Sequence, residues 1–527
     1  MVALGLCDVL LTAPAGCGKT EALAHRAAGL VRGGHVTSPR KILAVSFSNK
    51  ARDNLRTRLR QHLRGHELAR LTVANLHGAA ARIVRAHGQT IGLTPSSLVL
   101  PTRGAHRRRQ AQAGINWGNR DEVEGILRSA KAGDYNDEEV LARITASGNA
   151  VALRYEQALR GEGALDFDDL LRQASRILVL DEVALGYQLH FAAVLVDEVQ
   201  DLSMQQLRMV QRLGADRITY AGDYGQGIFS FAGADPDGVF AEINARSPES
   251  FQLTRSFRSS PAVLCAVNAL GALRGAPSLR CADTTAWTDQ ATFTMQTFAT
   301  VEDEAAIVLE HVQPLLTSTA TVGVIARVGS RLNAMRHALE PVELSFTDWS
   351  APLHHVEALR RLHEHMTTAL AANKGHDDAA LDALEQLCLD SCPEDDVDGR
   401  DEVQEACAEL RKMVAAGASL QKGLARCRPD EPGDAPVKPG LHLLNAHLGK
   451  GQEFDHVVII GLEKGIVPDF RATSPEMIAE ELRTLIVMVS RARKSLYLTF
   501  SATVPIASGW PKPRVPSPWW ETLASAE

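Results

Sequence analysis

The stretch Ala13-Pro14-Ala15-Gly16-Cys17-Gly18-Lys19-Thr20 has the residue types and spacing of a phosphate cradle. Glycines let backbone N–H groups turn inward around phosphate oxygens, a lysine at position 19 reaches the β- and γ-phosphates, and the Thr20 hydroxyl is a Mg²⁺ ligand. The first position of the usual pattern is Ala13 instead of glycine, and Cys17 sits inside the loop. On this reading Ala15, Gly16, Cys17, Gly18, Lys19 and Thr20 hold a nucleoside triphosphate. The bland reading is a glycine-rich turn that precedes Lys-Thr. A second pair favours the chemical one. Asp197-Glu198 closes the apolar run 193–196, and that order suits an Asp that holds Mg²⁺ followed by a Glu that polarises the attacking water. Further on, Gln226 follows another apolar run ending in Gly222-Asp223 and is a candidate γ-phosphate sensor. Phe229 and Phe231 alternate just after it. That suits base stacking coupled to nucleotide state, with two core phenylalanines as the alternative.

These groups need strands to carry them and helices to brace them. The run 9–11 reads as a short buried strand feeding the loop, and 21–28 as the helix that the loop opens, whose N-terminal dipole adds to the cradle. Residues 41–47 and 71–77 read as two more strands, each followed by a helix. Strands alternating with helices predict a parallel α/β sheet. From 88 to 165 the pattern is helical and polar, an insertion between Lys19 and Asp197. Its basic run, Arg103, His106, Arg107, Arg108 and Arg109, is either a solvated face or a phosphate contact. Residues 166–171 read as a capped helix start.

At 527 residues the chain exceeds one core, so two to four subdomains are expected. The hydrophobic and charged shares, 45% and 23%, are those of a globular protein, and a net charge of −7 excludes a uniformly basic nucleic-acid coat. Any nucleic-acid site is therefore a local groove. With no signal peptide and no apolar run of membrane length, the expectation is a cytoplasmic protein without a membrane partner. The eight cysteines form no disulfide-like framework, so reduced thiols are expected.

Taken together and in order, segments 13–20, 45–55, 75–77, 166–171, 196–205, 221–234, 253–260, 445–454 and 487–493 resemble the motifs of UvrD/Rep/PcrA-type superfamily 1 DNA helicases. The resemblance implies an α/β fold of two RecA-like parallel-sheet P-loop domains with helical insertions: 1–87 and 166–255 as domain 1A, 88–165 as helical insertion 1B, 256–345 and 432–505 as domain 2A, 346–431 as a reduced helical insertion 2B, and 506–527 as a tail. It implies ATP and Mg²⁺ as cofactors, with Thr20 and Asp197 on the metal. Lys19, Glu198, Gln226, Arg258 and Arg491 would be catalytic, the two arginines reaching the γ-phosphate from the far side of the cleft. Phe257 would stack on adenine and Glu453 would face the ribose. Phe47, Asn49, His77, Phe229, Phe231 and His447 would line single-stranded DNA. The activity implied is a DNA-stimulated, Mg²⁺-dependent ATPase translocating 3′ to 5′ on single-stranded DNA and at single-strand/duplex junctions, in repair or anti-phage defence. The alternative is a regulatory or sensor subunit that resembles the Gabija-type helicase and works with a separate nuclease. A third reading is an RNA-directed enzyme.

Three departures from the pattern stand out. No glutamine precedes the loop to read the adenine edge, so either the true start lies upstream or adenine selectivity is weakened. The 2B segment is small and acidic, as 393–398 shows, which puts processive unwinding by the isolated chain in doubt more than translocation. Cys388, Cys392, Cys407 and Cys427 all fall in it, at spacings that match no familiar zinc ribbon, and packed thiols are the expectation. No nuclease domain is expected in the short stretch after Arg493, and 506–527, with four prolines, Trp510, Trp519 and Trp520, reads as a docking tail or packed extension.

Overall fold

The computed structural model describes residues 1–93, 103–116, 118–287, 291–342, 344–350, 353–354, 356–373, 377–392, 397–415, 417–429, 437–506 and 510–527. It divides into two compact units. Unit 1 is Met1–Ala291, Arg471–Ser490 and Glu521–Glu527, and unit 2 is Thr292–Phe470 and Arg491–Trp520.

Unit 1 is built on a six-stranded sheet in the order Leu71–Asn75, Lys41–Ser46, Phe191–Asp197, Ile218–Gly222, Val9–Thr12, Glu249–Gln252. Every pairing is parallel. Strand Phe191–Asp197 is buried along its whole length, as expected of a central parallel strand covered on both faces. Register pairs Thr12 with Gly222 and Ser46 with both Asp197 and Asn75. The carboxyl ends of the strands therefore share one edge, where ligands bind in open α/β sheets. On one face, Leu23, Ala24, Ala27 and Leu30 of helix Lys19–Arg32 pack with Leu55 and Leu59 of helix Asn49–His62.

The helices of residues 103–161 form their own core, which includes Val123, Leu127, Val140, Ile144, Tyr155 and Leu159. A buried ion cluster fastens this layer to helix Phe167–Ile177. Lys131 is fully buried and lies 2.7 Å from Asp166, 2.9 Å from Asp169 and 3.0 Å from Glu156. Burial alone would strip its proton, but the three carboxylates hold its pKa well above the lysine range. Asp166 caps the helix start by accepting from Asp169 N at 2.8 Å, as 166–171 predicts. In the basic run, Arg109 pairs with Glu162 at 2.7 Å and His106 contacts the Tyr155 hydroxyl at 2.9 Å. The side chains of Arg103 and Arg107 lie outside the described residues.

Unit 2 carries a seven-stranded sheet. Strands Phe346–Asp348, Gly440–Asn445, Thr321–Ala326, Phe454–Ile460, Ala492–Pro505 and Phe293–Thr300 run parallel, and Pro511–Pro513 closes the edge antiparallel. Helices Val356–Ala372, Asp377–Asp390, Val397–Ala415 and Leu420–Arg426 form a separate core. Cys388, Cys392, Cys407 and Cys427 are all buried in it. Burial pushes the Cys388 and Cys407 thiols up to about 12 and Cys427 up to about 11, so these are packed thiols. The acidic stretch 393–396 lies outside the described residues. In the tail, Trp519 and Trp520 are buried, Trp520 against Phe500, whereas Trp510 is exposed. No helix among the described residues is long and apolar enough to cross a membrane.

The compact units divide at 291/292, not at 255/256, and 471–490 belongs with unit 1. The cause is backbone pairing. Leu253 N donates to Thr12 O at 2.9 Å and Phe257 N to Gly16 O at 2.9 Å, which ties the chain after Gln252 to the loop at 13–20.

Substituting Lys131 by Met leaves three carboxylates buried without their cation. We expect a loss of about 3–5 kcal/mol in denaturant unfolding. Substituting Lys412, exposed beside Glu409, should change stability by less than about 0.5 kcal/mol.

Candidate active site

The loop between strand Val9–Thr12 and helix Lys19–Arg32 is shaped by two glycines. Gly16 and Gly18 adopt φ of +77° and +82°, a region that side chains other than glycine avoid. A Cβ on Gly16 would fall 2.5 Å from Arg258 Cβ, so the close approach of residues 256–258 also requires glycine there. Gly18 faces open space and caps the helix that begins at Lys19.

Lys19 Nζ donates to Glu198 Oε2 at 2.8 Å, and Thr20 Oγ1 donates to Asp197 Oδ2 at 2.9 Å. Lys19 is only 8% exposed. Burial works against its charge, but Glu198, Asp197 and Asp223 more than restore it, and its pKa is raised. The Asp197 pKa is raised as well, which for a carboxyl disfavours the charged form. Burial and the neighbouring Glu198 push it up to about 7, against the pull of Lys19. A hydroxyl and a carboxylate side by side are the oxygen donors that a hard divalent cation takes. Glu198 holds φ of +60°, a costly conformation for a residue with a side chain. Cys17 is buried, and that burial, with Asp223 adding to it, pushes its thiol up to about 12.

From this pair a hydrogen-bonded chain crosses the strand ends. Gln200 Nε2 donates to Glu198 Oε2, and Gln200 Oε1 accepts from Asp223 N at 2.9 Å. Asp223 Oδ2 in turn accepts from Gln226 Nε2 at 2.7 Å. Two residues of this chain, Gln200 and Asp223, have no role assigned by the sequence reading, although both lie inside its motif segments. The only signal was their place near Asp197-Glu198 and Gln226.

The aromatic residues meet on the same edge. Phe47 and Phe229 stack with centroids 5.8 Å apart and an interplanar angle of 21°. Phe231 meets Phe229 edge-on at 5.9 Å and is 63% exposed. Asn49 Oδ1 accepts from Asn75 Nδ2 at 2.6 Å and from Arg52 Nη1 at 3.0 Å. Asn75 caps the helix that carries His77 by accepting from Gly78 N at 2.6 Å, and the His77 ring packs edge-on to Phe167 at 6.0 Å. Phe257 is 70% exposed just past the loop. Arg258 lies in unit 1 with the loop, and its Nη1 reaches Ser490 O at 3.4 Å.

Unit 2 carries the remaining three predicted residues, at two edges of its sheet. Glu453 precedes strand Phe454–Ile460, and Arg491 precedes strand Ala492–Pro505, with Phe454 paired to Ala492. Arg491 is buried, and its Nη1 contacts Gln452 O at 3.3 Å. His447 instead follows the carboxyl end of strand Gly440–Asn445, in helix Ala446–Gly449. The sheet's parallel register puts these edges one strand length apart, roughly 20 Å. Burial, with Arg327 and Lys450 nearby, pulls the His447 pKa down to about 4.

Residues 2–245 match the UvrD/REP helicase N-terminal domain, and residues 396–503 match the UvrD-like helicase C-terminal domain. The chain belongs to the UvrD/REP helicase family. It is 29% identical to the ATP-dependent DNA helicase UvrD2 of Mycobacterium tuberculosis, over 94% of this chain and 76% of that one. It is 31% identical to DNA helicase II of Escherichia coli over 50% of this chain and 38% of that protein. The figures for the ATP-dependent DNA helicase PcrA of Bacillus subtilis are 29% identity over 49% and 37%. The N-terminal match covers the P-loop strand, the Asp197-Glu198 pair and the Phe229–Phe231 segment of this UvrD/REP chain, and the C-terminal match covers His447, Glu453 and Arg491.

The low pKa of His447 has a definite sign for stability. An unfolded chain protonates this imidazole near 6.5 and the folded chain only near 4. Between those values the unfolded state binds more protons, so stability present above pH 6.5 is lost as the pH falls toward 4. The His447 ring resonance should titrate near 4 by NMR, and His447→Gln should flatten that part of the stability profile.

Proposed function

We propose that this ATP-dependent helicase-family enzyme moves 3′ to 5′ along single-stranded DNA, in the cytoplasm, as part of DNA repair. The observation that carries this reading is the unbroken hydrogen-bonded path from Lys19 through Glu198, Gln200 and Asp223 to Gln226. It ends at Gln226, three residues before Phe229 in the chain.

In this reading residues 15–20 cradle the phosphates of ATP, with Lys19 leaving Glu198 for the β- and γ-phosphates. Thr20 and Asp197 hold Mg²⁺, which when bound neutralises charge on the phosphate oxygens. Glu198, released from Lys19, orients the attacking water. Gln226 reports the γ-phosphate, and Arg258 and Arg491 stabilise the charge it develops. Phe257 stacks on adenine and Glu453 meets the ribose. Phe47, Asn49, His77, Phe229, Phe231 and His447 hold the strand. Stacking is indifferent to base identity, so tracking is independent of sequence, and phosphate contacts make it weaken with salt. Junctions of single strand and duplex are the natural substrate.

The test is steady-state ATP hydrolysis with and without single-stranded DNA. Stimulation by DNA is expected, lost by at least about 10²-fold in Lys19→Ala and Glu198→Gln and by about 10³-fold in Arg258→Ala and Arg491→Ala. Phe47→Ala and Phe229→Ala should each weaken strand binding by about 1–3 kcal/mol while leaving DNA-free hydrolysis in place. Absence of DNA stimulation in the wild type would overturn the translocase reading. Strong hydrolysis without strand separation would move it to a sensor that acts with a separate nuclease.

A further inference from the structure

The P-loop helix carries a second set of ligand-type side chains, apart from Lys19 and Thr20. Glu21 and His25 stand one turn apart on helix Lys19–Arg32, and His62 ends the neighbouring helix Asn49–His62. Three donor atoms, one from each, lie within 4.8 Å of one another. His62 Nε2 is 2.5 Å from Glu21 Oε1, and His25 Nε2 is 3.5 Å from the same oxygen. The two imidazole rings pack with centroids 4.1 Å apart. Among the described residues this is the one group of three or more His, Cys, Asp or Glu side chains so arranged.

A tetrahedral zinc ion with bonds of about 2.0–2.1 Å sets its ligand atoms roughly 3.3 Å apart. The separations found here bracket that value, so small side-chain rotations suffice to seat an ion. Two imidazoles and one carboxylate form an N₂O set suited to Zn²⁺, with the fourth position left to water, and poorly suited to Mg²⁺, which takes oxygen ligands. A separate observation points the same way. Glu21 Oε2 is buried and accepts no hydrogen bond, with Arg58 Nη1 3.8 Å away. The Glu21 side chain as a whole is 38% exposed, and an oxygen that takes no hydrogen bond is open to a metal ligand bond in addition to its Arg58 ion pair. His25 is 51% exposed, which leaves a path from solvent.

We propose that Glu21, His25 and His62 bind one Zn²⁺ ion and thereby pin the first turn of the P-loop helix to the last turn of helix Asn49–His62. Glu21 directly follows Thr20, and the second helix begins at Asn49, so the ion ties together helices that lead from the phosphate loop and from the aromatic platform. The assignment stands on the geometry of these three side chains and does not depend on the direction of translocation.

The test uses the full chain, stripped with chelator and dialysed, and Zn²⁺ titrated calorimetrically in excess Mg²⁺ without nucleotide. Wild type, His25→Ala and His62→Asn are compared, and Co²⁺ is added to each for its absorption spectrum. The expected result is one Zn²⁺ per chain, at least about tenfold weaker in both variants, a zinc-dependent rise in Tm that both variants lose, and Co²⁺ bands without thiolate charge transfer. His25 is exposed, so the metal-free Tm of His25→Ala should equal that of wild type, which separates loss of a ligand from loss of the fold. Equal zinc uptake by all three chains, a thiolate spectrum, or no uptake by wild type would overturn the proposal.

Discussion

The buried amine of Lys19 is the constraint on which the first unit depends. An ammonium group taken out of water must be paired or give up its proton. Here it stays charged because Glu198, Asp197 and Asp223 surround it. Those carboxylates sit at the ends of two neighbouring strands, so the requirement is met only if the parallel register is kept. A slip of one residue in strand Phe191–Asp197 would turn Asp197 to the other face and leave Lys19 without its partners. The glycines at 16 and 18, the left-handed Glu198 and the Gln200 bridge all serve the same convergence.

Much of this was legible in the chain because the chemistry is concentrated in short runs. Residues 13–20 and 197–198 carry their roles in adjacent positions, and the strands at 9–12, 41–46 and 218–222 are apolar runs that any parallel sheet requires. What stayed hidden depends on distant pairing. Nothing near 253–258 says that its backbone bonds return to Thr12 and Gly16. Lys131 looks like one more helical lysine until Glu156, Asp166 and Asp169 are seen to close around it. For Phe229 and Phe231 neither rival reading is complete: Phe229 stacks on Phe47, and Phe231 is exposed. Glu21, His25 and His62 form a group only through the packing of two helices.

The second unit distributes its residues differently. The segment 445–454 leaves one edge of the sheet at His447 and re-enters at the other with Glu453, where Arg491 precedes the neighbouring strand. A single connection thus touches both edges, and any shift along the strand axis would move them together. In the first unit the path from Lys19 to Gln226 stays at one edge and passes through side chains and the backbone N–H of Asp223.

Sulfur inside a phosphate loop would ordinarily make an enzyme vulnerable. A thiolate at Cys17 would be open to peroxide and to alkylating reagents, and its oxidation would fill the loop. The fold removes that hazard by enclosing the side chain and keeping it protonated far above neutral pH. In this structure Cys17 is thus packed into the loop as a small, protonated side chain, whereas Cys265 lies exposed elsewhere on the chain.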